Sequence, residues 1–257
     1  MASAALTLLA LQGIPLVEPG DDLGAILIAA IVRSALAPRD QDVLVVAQKI
    51  VSKAEGRLRR LAEIVPSARA KALAAEVNKD PRFVELVLSE ASEVVRHRRD
   101  VLVVAHRLGL VMANAGIDQS NVAHGAGDEH VLLLPEDPDA SAAALKARLD
   151  AHFGVDLGIV INDSFGRAWR HGVTGVAIGA AGLPSLINMI GEPDLFGRAL
   201  KVTQIAFADE IAAAASLIMG QAAEGRPAVL ARGLAWRKDA ARAAEALIRP
   251  KEMDLFR

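Results

Sequence analysis

Two short apolar runs constrain this chain more than any other feature. Residues 42–47 (DVLVVA) and 157–161 (LGIVI) are rich in β-branched side chains and almost wholly apolar. Runs of that length and composition form strands buried on both faces. Each breaks off into polar residues. The first leads into Gln48, Lys49, Ser52, Lys53, Glu55 and Arg57, and the second stops at Asn162-Asp163-Ser164. Helical patterns surround them. Asp21-Asp22 caps an apolar-spaced segment, Pro66-Ser67 opens a helix to about 77, and Asp80-Pro81 opens another to about 95. Further helices are expected at 142–153, 208–219 (stopped by Gly220) and 240–248. Strand patterns fall at 6–10, 101–116 (two strands around a turn at 107–109), 131–134, 172–182 and 227–234. Strands and helices mix without a strict βαβ period. The expectation is an α+β fold of mixed sheets with flanking helices.

Of the 257 residues, 53% are hydrophobic, enough for a large core, and no repeat or low-complexity linker divides them. One domain over 1–257 is expected, with no legible internal boundary. A net charge of -2 gives no basic excess to suggest nucleic acid or an anionic membrane. The absence of cysteine excludes a thiol nucleophile, thiolate-bound zinc and disulfides. With no Tyr and two Trp, an aromatic stacking platform for bases is not expected. The apolar N-terminal run is too short to span a bilayer and lacks a basic leader, and the run at 205–218 carries Asp209 and Glu210. The expectation is a cytoplasmic protein, and its Gly- and Ala-rich surfaces suit an oligomer.

Four polar clusters follow strand or helix ends. They are 48–57, 114–121 (NAGIDQSN), Asp163-Ser164 with Arg167 and Arg170, and 219–227 (MGQAAEGRP). Each also has a plain structural reading: a solvated basic turn, an Asx-rich turn, a strand-end turn, a helix C-cap. Together they offer carboxylate, hydroxyl and amide oxygens without thiolates or a clear His pair. Such a donor set favours Mg²⁺ or Mn²⁺ over zinc, with Lys and Arg to clamp phosphates. There is no G-x-x-x-x-G-K-[ST] and no G-x-G-x-x-G after a strand. Gly125 and Gly127 mark only a loop. His124, Asp128, Glu129 and His130 match no zinc spacing. His171 reads either as an acid–base group or as a satisfied polar contact.

Six segments occur in order over about residues 11–235: 13–24 (GIPLVEPGDDLG), 45–57 (VVAQKIVSKAEGR), 112–121 (MANAGIDQSN), 133–142 (LLPEDPDASA), 161–183 (INDSFGRAWRHGVTGVAIGAAGL) and 208–227 (ADEIAAAASLIMGQAAEGRP). The set resembles the coenzyme F420-0:L-glutamate ligases, the γ-glutamyl ligases of F420 biosynthesis. The resemblance implies a GTP-dependent ligase that phosphorylates the carboxylate of F420-0, forms an amide with L-glutamate, and then adds γ-linked glutamates. It also implies two divalent ions (Mn²⁺ or Mg²⁺), a potassium ion and an intertwined homodimer, with no nucleic acid or membrane partner.

Carried over by position, Ile14, Pro15, Leu16, Val17, Gln48, Lys53 and Asn121 look like nucleotide contacts. So do Met219, Gly220, Gln221, Ala222, Ala223, Glu224, Gly225 and Arg226. Asp118, Asp163, Ser164 and Gln221 look like metal positions. Asp118, Asp163, Lys53 and Arg170 form the candidate catalytic set. Gln48 departs from the Ser of some members, and His171 stands where an acidic residue is expected. The reductase-like domain fused to some members is not expected. Two alternatives stay open: the same chemistry on another carboxylated cofactor precursor, or an inactive nucleotide-binding protein.

Overall fold

The computed structural model describes residues 5–120, 129–236 and 243–255 of the chain. In chain order its regular elements are β1 (Thr7–Ala10), α1 (Leu23–Arg33), β2 (Val43–Ala47), α2 (Gln48–Ala54), β3 (Leu58–Arg60), α3 (Ala68–Val77), α4 (Pro81–Glu90), β4 (Ala91–Arg98), β5 (Val101–His106), β6 (Val111–Ala113), β7 (His130–Leu132), α5 (Pro138–Phe153), β8 (Gly158–Arg167), β9 (Arg170–Ala181), β10 (Ile187–Asn188), β11 (Gln204–Ile205), α6 (Phe207–Met219) and β12 (Ala228–Arg232).

Among the described residues, five strands form one mixed sheet in the order β1-β12-β2-β8-β9. Only β2 and β8 run parallel. They are the two apolar runs, and both faces are covered, as their composition requires. Leu44, Val46, Ile159 and Ile161 pack on one face with Leu27 and Ile31 of α1 and Leu145 and Leu149 of α5. Val43, Val45 and Val160 pack on the other with Ile211, Ala212 and Ala215 of α6. The alternation of side chains along each strand therefore divides two cores. A third core, with Leu73, Val77, Val84, Val87, Leu102 and Val104, belongs to an insertion between β2 and β8. It holds α3, α4 and the antiparallel β4-β5-β6 sheet. The chain enters it at Arg57 and leaves beside it, where Leu133 N–H bonds Arg57 O at 3.2 Å. The α+β class is as expected.

Capping residues set the helix starts. Asp22, Ser67, Asp80 and Asp137 accept from the first-turn amides of α1, α3, α4 and α5. Four expectations are corrected. Residues 48–54 are helical (α2) rather than a turn. Helix α4 stops at Glu90 instead of about 95, because Val94 and Arg96 pair with β5 and the ladder outweighs local helix preference. Strand β8 does not stop at Ile161. A register shift between Ile161 and Asn162 lets the polar stretch to Arg167 keep pairing with β9. The last helix is a single 3-10 turn, Ala244–Leu247, and residues 240–242 lie outside the described residues. No helix among the described residues is long and apolar enough to cross a membrane.

Candidate functional site

The parallel pairing of β2 and β8 builds the site. Ala47 stands opposite Asn162, so the next residue of each strand, Gln48 and Asp163, emerges at the same end of the sheet. Asp118 is brought to that end by its antiparallel bridge to Leu132, with both backbone bonds at 2.9 Å. Gln48 is buried. Its Oε1 accepts from Ser52 Oγ at 2.9 Å, which leaves Nε2 to donate to Asp118 Oδ2 at 3.0 Å. Lys49 Nζ lies 3.4 Å from Asp118 Oδ1 and donates to Ser120 Oγ at 2.8 Å. Lys53 follows one turn later on the same side of α2.

The charges are held close and partly out of water. Burial raises the Asp118 carboxyl above its usual range, and Lys49, Gln48 and Ser120 offset part of that. Asp163 is pushed up to about 6, by burial first and by the charge of Asp118 second, against an N–H bond from Ser164 at 2.8 Å. Burial, then the charge of Lys49, lowers the Lys53 ammonium. The Asp118 charge disfavours ionisation of Asp163, and the Lys49 charge disfavours that of Lys53, so the site is short of both a cation and an anion.

Across from them, Ser164 Oγ donates to Gln221 Oε1 at 2.8 Å. Helix α6 stops at Gly220, whose φ of +76° suits glycine. The exposed loop beyond is braced by Ala222 N–H donating to Glu224 at 2.8 Å. Asn162 ties the end of α6 to β8, donating to Ser216 Oγ at 3.0 Å and approaching Met219 Sδ at 3.4 Å. The strip at 14–17 leaves Pro15 and Leu16 exposed and Val17 buried, and Gly20 N–H anchors it to Ala54 O at 2.9 Å.

The structure thus brings Gln48, Asp118 and Asp163 together, with Lys53 one turn along α2 and Ser164 bonded to Gln221 beside Asp163. It leaves Arg170 apart. That residue sits exposed at the tip of the β8–β9 hairpin opposite Arg167, four residues beyond Asp163 and so ~14 Å along the strand. His171 is likewise exposed on β9. Asn121, His124 and Asp128 lie outside the described residues. Glu129 pairs with Arg82 at 3.3 Å, and His130 pairs with Arg60 across β3–β7.

Sequence reasoning did not see that Lys49 is the ion partner of Asp118, or that Asn162 ties β8 to α6. It also missed a backbone feature just ahead of Asp118. Asn114, Ala115 and Gly116 run left-handed in succession, with φ of 53°, 54° and 67°. For Ala115 that conformation costs about 1–2 kcal/mol. The only hint was the Asn-x-Gly spacing.

The donors suit hard divalent cations. Among the described residues no three His, Cys, Asp or Glu side chains cluster. An ion here would therefore rest on the two aspartates, the Ser164 hydroxyl, the Gln221 amide oxygen and ligand oxygens, which is the pattern of ions shared with phosphates.

A family model described as F420-0:Gamma-glutamyl ligase matches residues 13–233. The chain is 45% identical over 255 residues to the Coenzyme F420:L-glutamate ligase of Methanothermobacter thermautotrophicus, covering 98% of this chain and 99% of that one. It is 47% identical over 258 residues to the protein of the same description from Methanopyrus kandleri, with 98% and 99% covered. It is 47% identical over 223 residues to that of Archaeoglobus fulgidus, with 87% and 86% covered.

Proposed function

This chain belongs to the F420-0:gamma-glutamyl ligase family, and on that premise we propose that it joins L-glutamate to the carboxylate of coenzyme F420-0 through an acyl phosphate made from GTP. Membership makes it an amide-forming ligase of coenzyme F420 biosynthesis; the nucleotide, the ions and the residue roles are our reading. One observation carries it: Asp118 and Asp163 share one end of the β2–β8 pair with Lys49 and Lys53 beside them.

A carboxylate is a poor electrophile. In the first step one of its oxygens bonds to the γ-phosphorus of GTP, the bond to the β-phosphate oxygen breaks, and GDP leaves. In the second the amine of glutamate bonds to the acyl carbon, the carbon–oxygen bond to phosphate breaks, and inorganic phosphate departs with the proton shed by nitrogen. Mn²⁺ or Mg²⁺ supplies positive charge to the crowded phosphate oxygens, and Asp118, Asp163, Ser164 and Gln221 would hold the two ions, with potassium as a further ion. Lys49 and Lys53 meet the phosphates as point charges. Residues 14–17 and the 219–226 loop border the nucleoside. Arg170, at the hairpin tip, is assigned to the acceptor rather than to the transferred phosphate.

A homodimer completes this reading. It is supported by Leu195, Phe196 and Trp169, which are 99%, 89% and 88% exposed on the 187–205 arm and the hairpin tip.

The test is isotopic. F420-0 carrying ¹⁸O in its carboxylate should deliver one ¹⁸O to the inorganic phosphate released with GDP. Unlabelled phosphate alongside glutamylated product would overturn the acyl-phosphate route.

A further inference from the structure

A cavity of about 260 Å³ opens beside the site, lined by Lys79, Asp80, Phe83, Asn114, Ile117 and Gln119. Ile117 and Gln119 flank Asp118, so the backbone segment that carries Asp118 separates the cavity from the centre at which the acyl phosphate would form. We propose that it seats the amino-acid substrate, L-glutamate, with a carboxylate on Lys79 and the amine directed toward Asp118. This inference rests on the ligase reading above.

The chemistry of the walls selects the ligand. Lys79 is half-buried at the α3–α4 junction, and among the described residues no acidic side chain pairs with it. The nearby guanidinium, Arg82, is already committed to Asp80 and Glu129. With the lining Asp80 carboxylate held by Arg82, one point cation with two amide side chains matches a carboxylate better than a phosphate, which draws Arg forks or several cations. The size agrees. The ten non-hydrogen atoms of glutamate fit this volume at about 26 Å³ or less apiece, under the ~30 Å³ of a liquid water, whereas the roughly threefold larger nucleoside triphosphate does not. Phe83 and Ile117 give its methylenes an apolar wall.

The amine has a place as well. Asn114 Oδ1 is buried without a hydrogen-bond partner, an acceptor that rotation of the amide can offer to an amino group. The costly left-handed run at 114–116 carries Asn114, a lining residue of the cavity, and leads through Ile117 into the Asp118 bridge. Strain of this kind persists where the surroundings hold a segment for a task.

Steady-state kinetics of Lys79→Met, which keeps the aliphatic stem, tests this against wild type, with hydroxylamine as an alternative nucleophile. Hydroxylamine attacks the acyl phosphate directly and needs no amino-acid seat. The expected result is a KM for L-glutamate raised about ten- to hundredfold. The KM for GTP and the rate of hydroxamate formation should stay within about twofold, with Lys79→Arg recovering part of the loss. An unchanged glutamate KM overturns the cavity assignment and leaves the ligase reading standing, as does a parallel loss of glutamate and hydroxylamine reactions. A wild-type protein that forms neither amide nor hydroxamate overturns both.

Discussion

The charge cluster where the insertion joins the sheet supports a quantitative prediction. Glu90 ends α4 with its side chain 11% exposed. Arg57 Nη2 donates to both of its oxygens at 3.1 Å, Arg107 Nε donates at 3.2 Å, and His106 Nε2 lies 3.4 Å away. Arg57 also donates through Nε to Leu134 O at 2.8 Å, so one side chain locks the end of the site helix to the far side of the insertion. Burial alone would raise the Glu90 carboxyl. His106, Arg57 and Arg107 more than offset it and hold it at about 2, against an ordinary 4.5. At ~1.36 kcal/mol per pH unit, ionised Glu90 contributes about 3 kcal/mol to the folded state. A depressed carboxyl stabilises above its unfolded value and stops doing so as pH falls through its folded one. The contribution is therefore complete above pH 4.5 and lost toward pH 2. Glu90→Gln strands the buried Arg57 guanidinium, a change that costs ~3–5 kcal/mol when a buried pair is broken. The variant should lose about 3 kcal/mol at neutral pH, or roughly 6–12 °C in Tm. Urea unfolding of both proteins from about pH 7 to pH 3 gives the difference, which should shrink below pH 4.5. A difference under about 1 kcal/mol at neutral pH, or one constant down to about pH 3, refutes the assignment.

Asp118→Asn and Asp163→Asn should each reduce GTP turnover at least ~100-fold with the fold intact by circular dichroism; wild-type rates in either variant refute the metal assignment. In metal-free protein Asp163→Asn should raise stability by up to about 3 kcal/mol at neutral pH. The carboxyl is raised from 3.8 to about 6, so its penalty is absent below the lower value and complete above the upper. Denaturation of the two proteins at about pH 7 and pH 4 checks the sign. Mn²⁺ should raise the Tm of wild type and not of Asp163→Asn, and an equal rise in both would remove Asp163 from the metal set. Gly220→Ala places a Cβ against the Glu224 carboxylate at a φ of +76°. It should weaken GTP binding about tenfold while leaving the glutamate KM alone. Unchanged nucleotide affinity by titration calorimetry would separate the 219–226 loop from the nucleotide.

The frame of the fold was legible where local chemistry is decisive. The runs at 42–47 and 157–161 read as buried strands, and Asp22, Ser67 and Asp80 announced helices; the structure has both. Legibility failed where a distant partner decides. The stretch ASEVVRHR continues the preceding helix on local evidence, and only pairing with β5 turns it into a strand. NDSFGR resembles a loop because nothing near it reveals that β9 lies alongside. For the same reason no spacing rule sets Asp118 beside Asp163; the resemblance to a family grouped them, and parallel pairing with the Leu132 bridge explains why they meet. Lys49 was visible only as one charge among several, since its pairing with Asp118 depends on α2 being a helix. The Arg57–Glu90–His106 cluster left no trace at all, because each of its members looks like an ordinary surface residue.

The most direct test of the account is the mass of the product. Purified protein, F420-0, L-glutamate, GTP and Mn²⁺ are incubated and the deazaflavin is weighed by mass spectrometry. A product heavier by one or more glutamyl units, with GDP released and none formed when ATP replaces GTP, is the predicted result. An acceptor of unchanged mass, in protein that binds GTP, would contradict it.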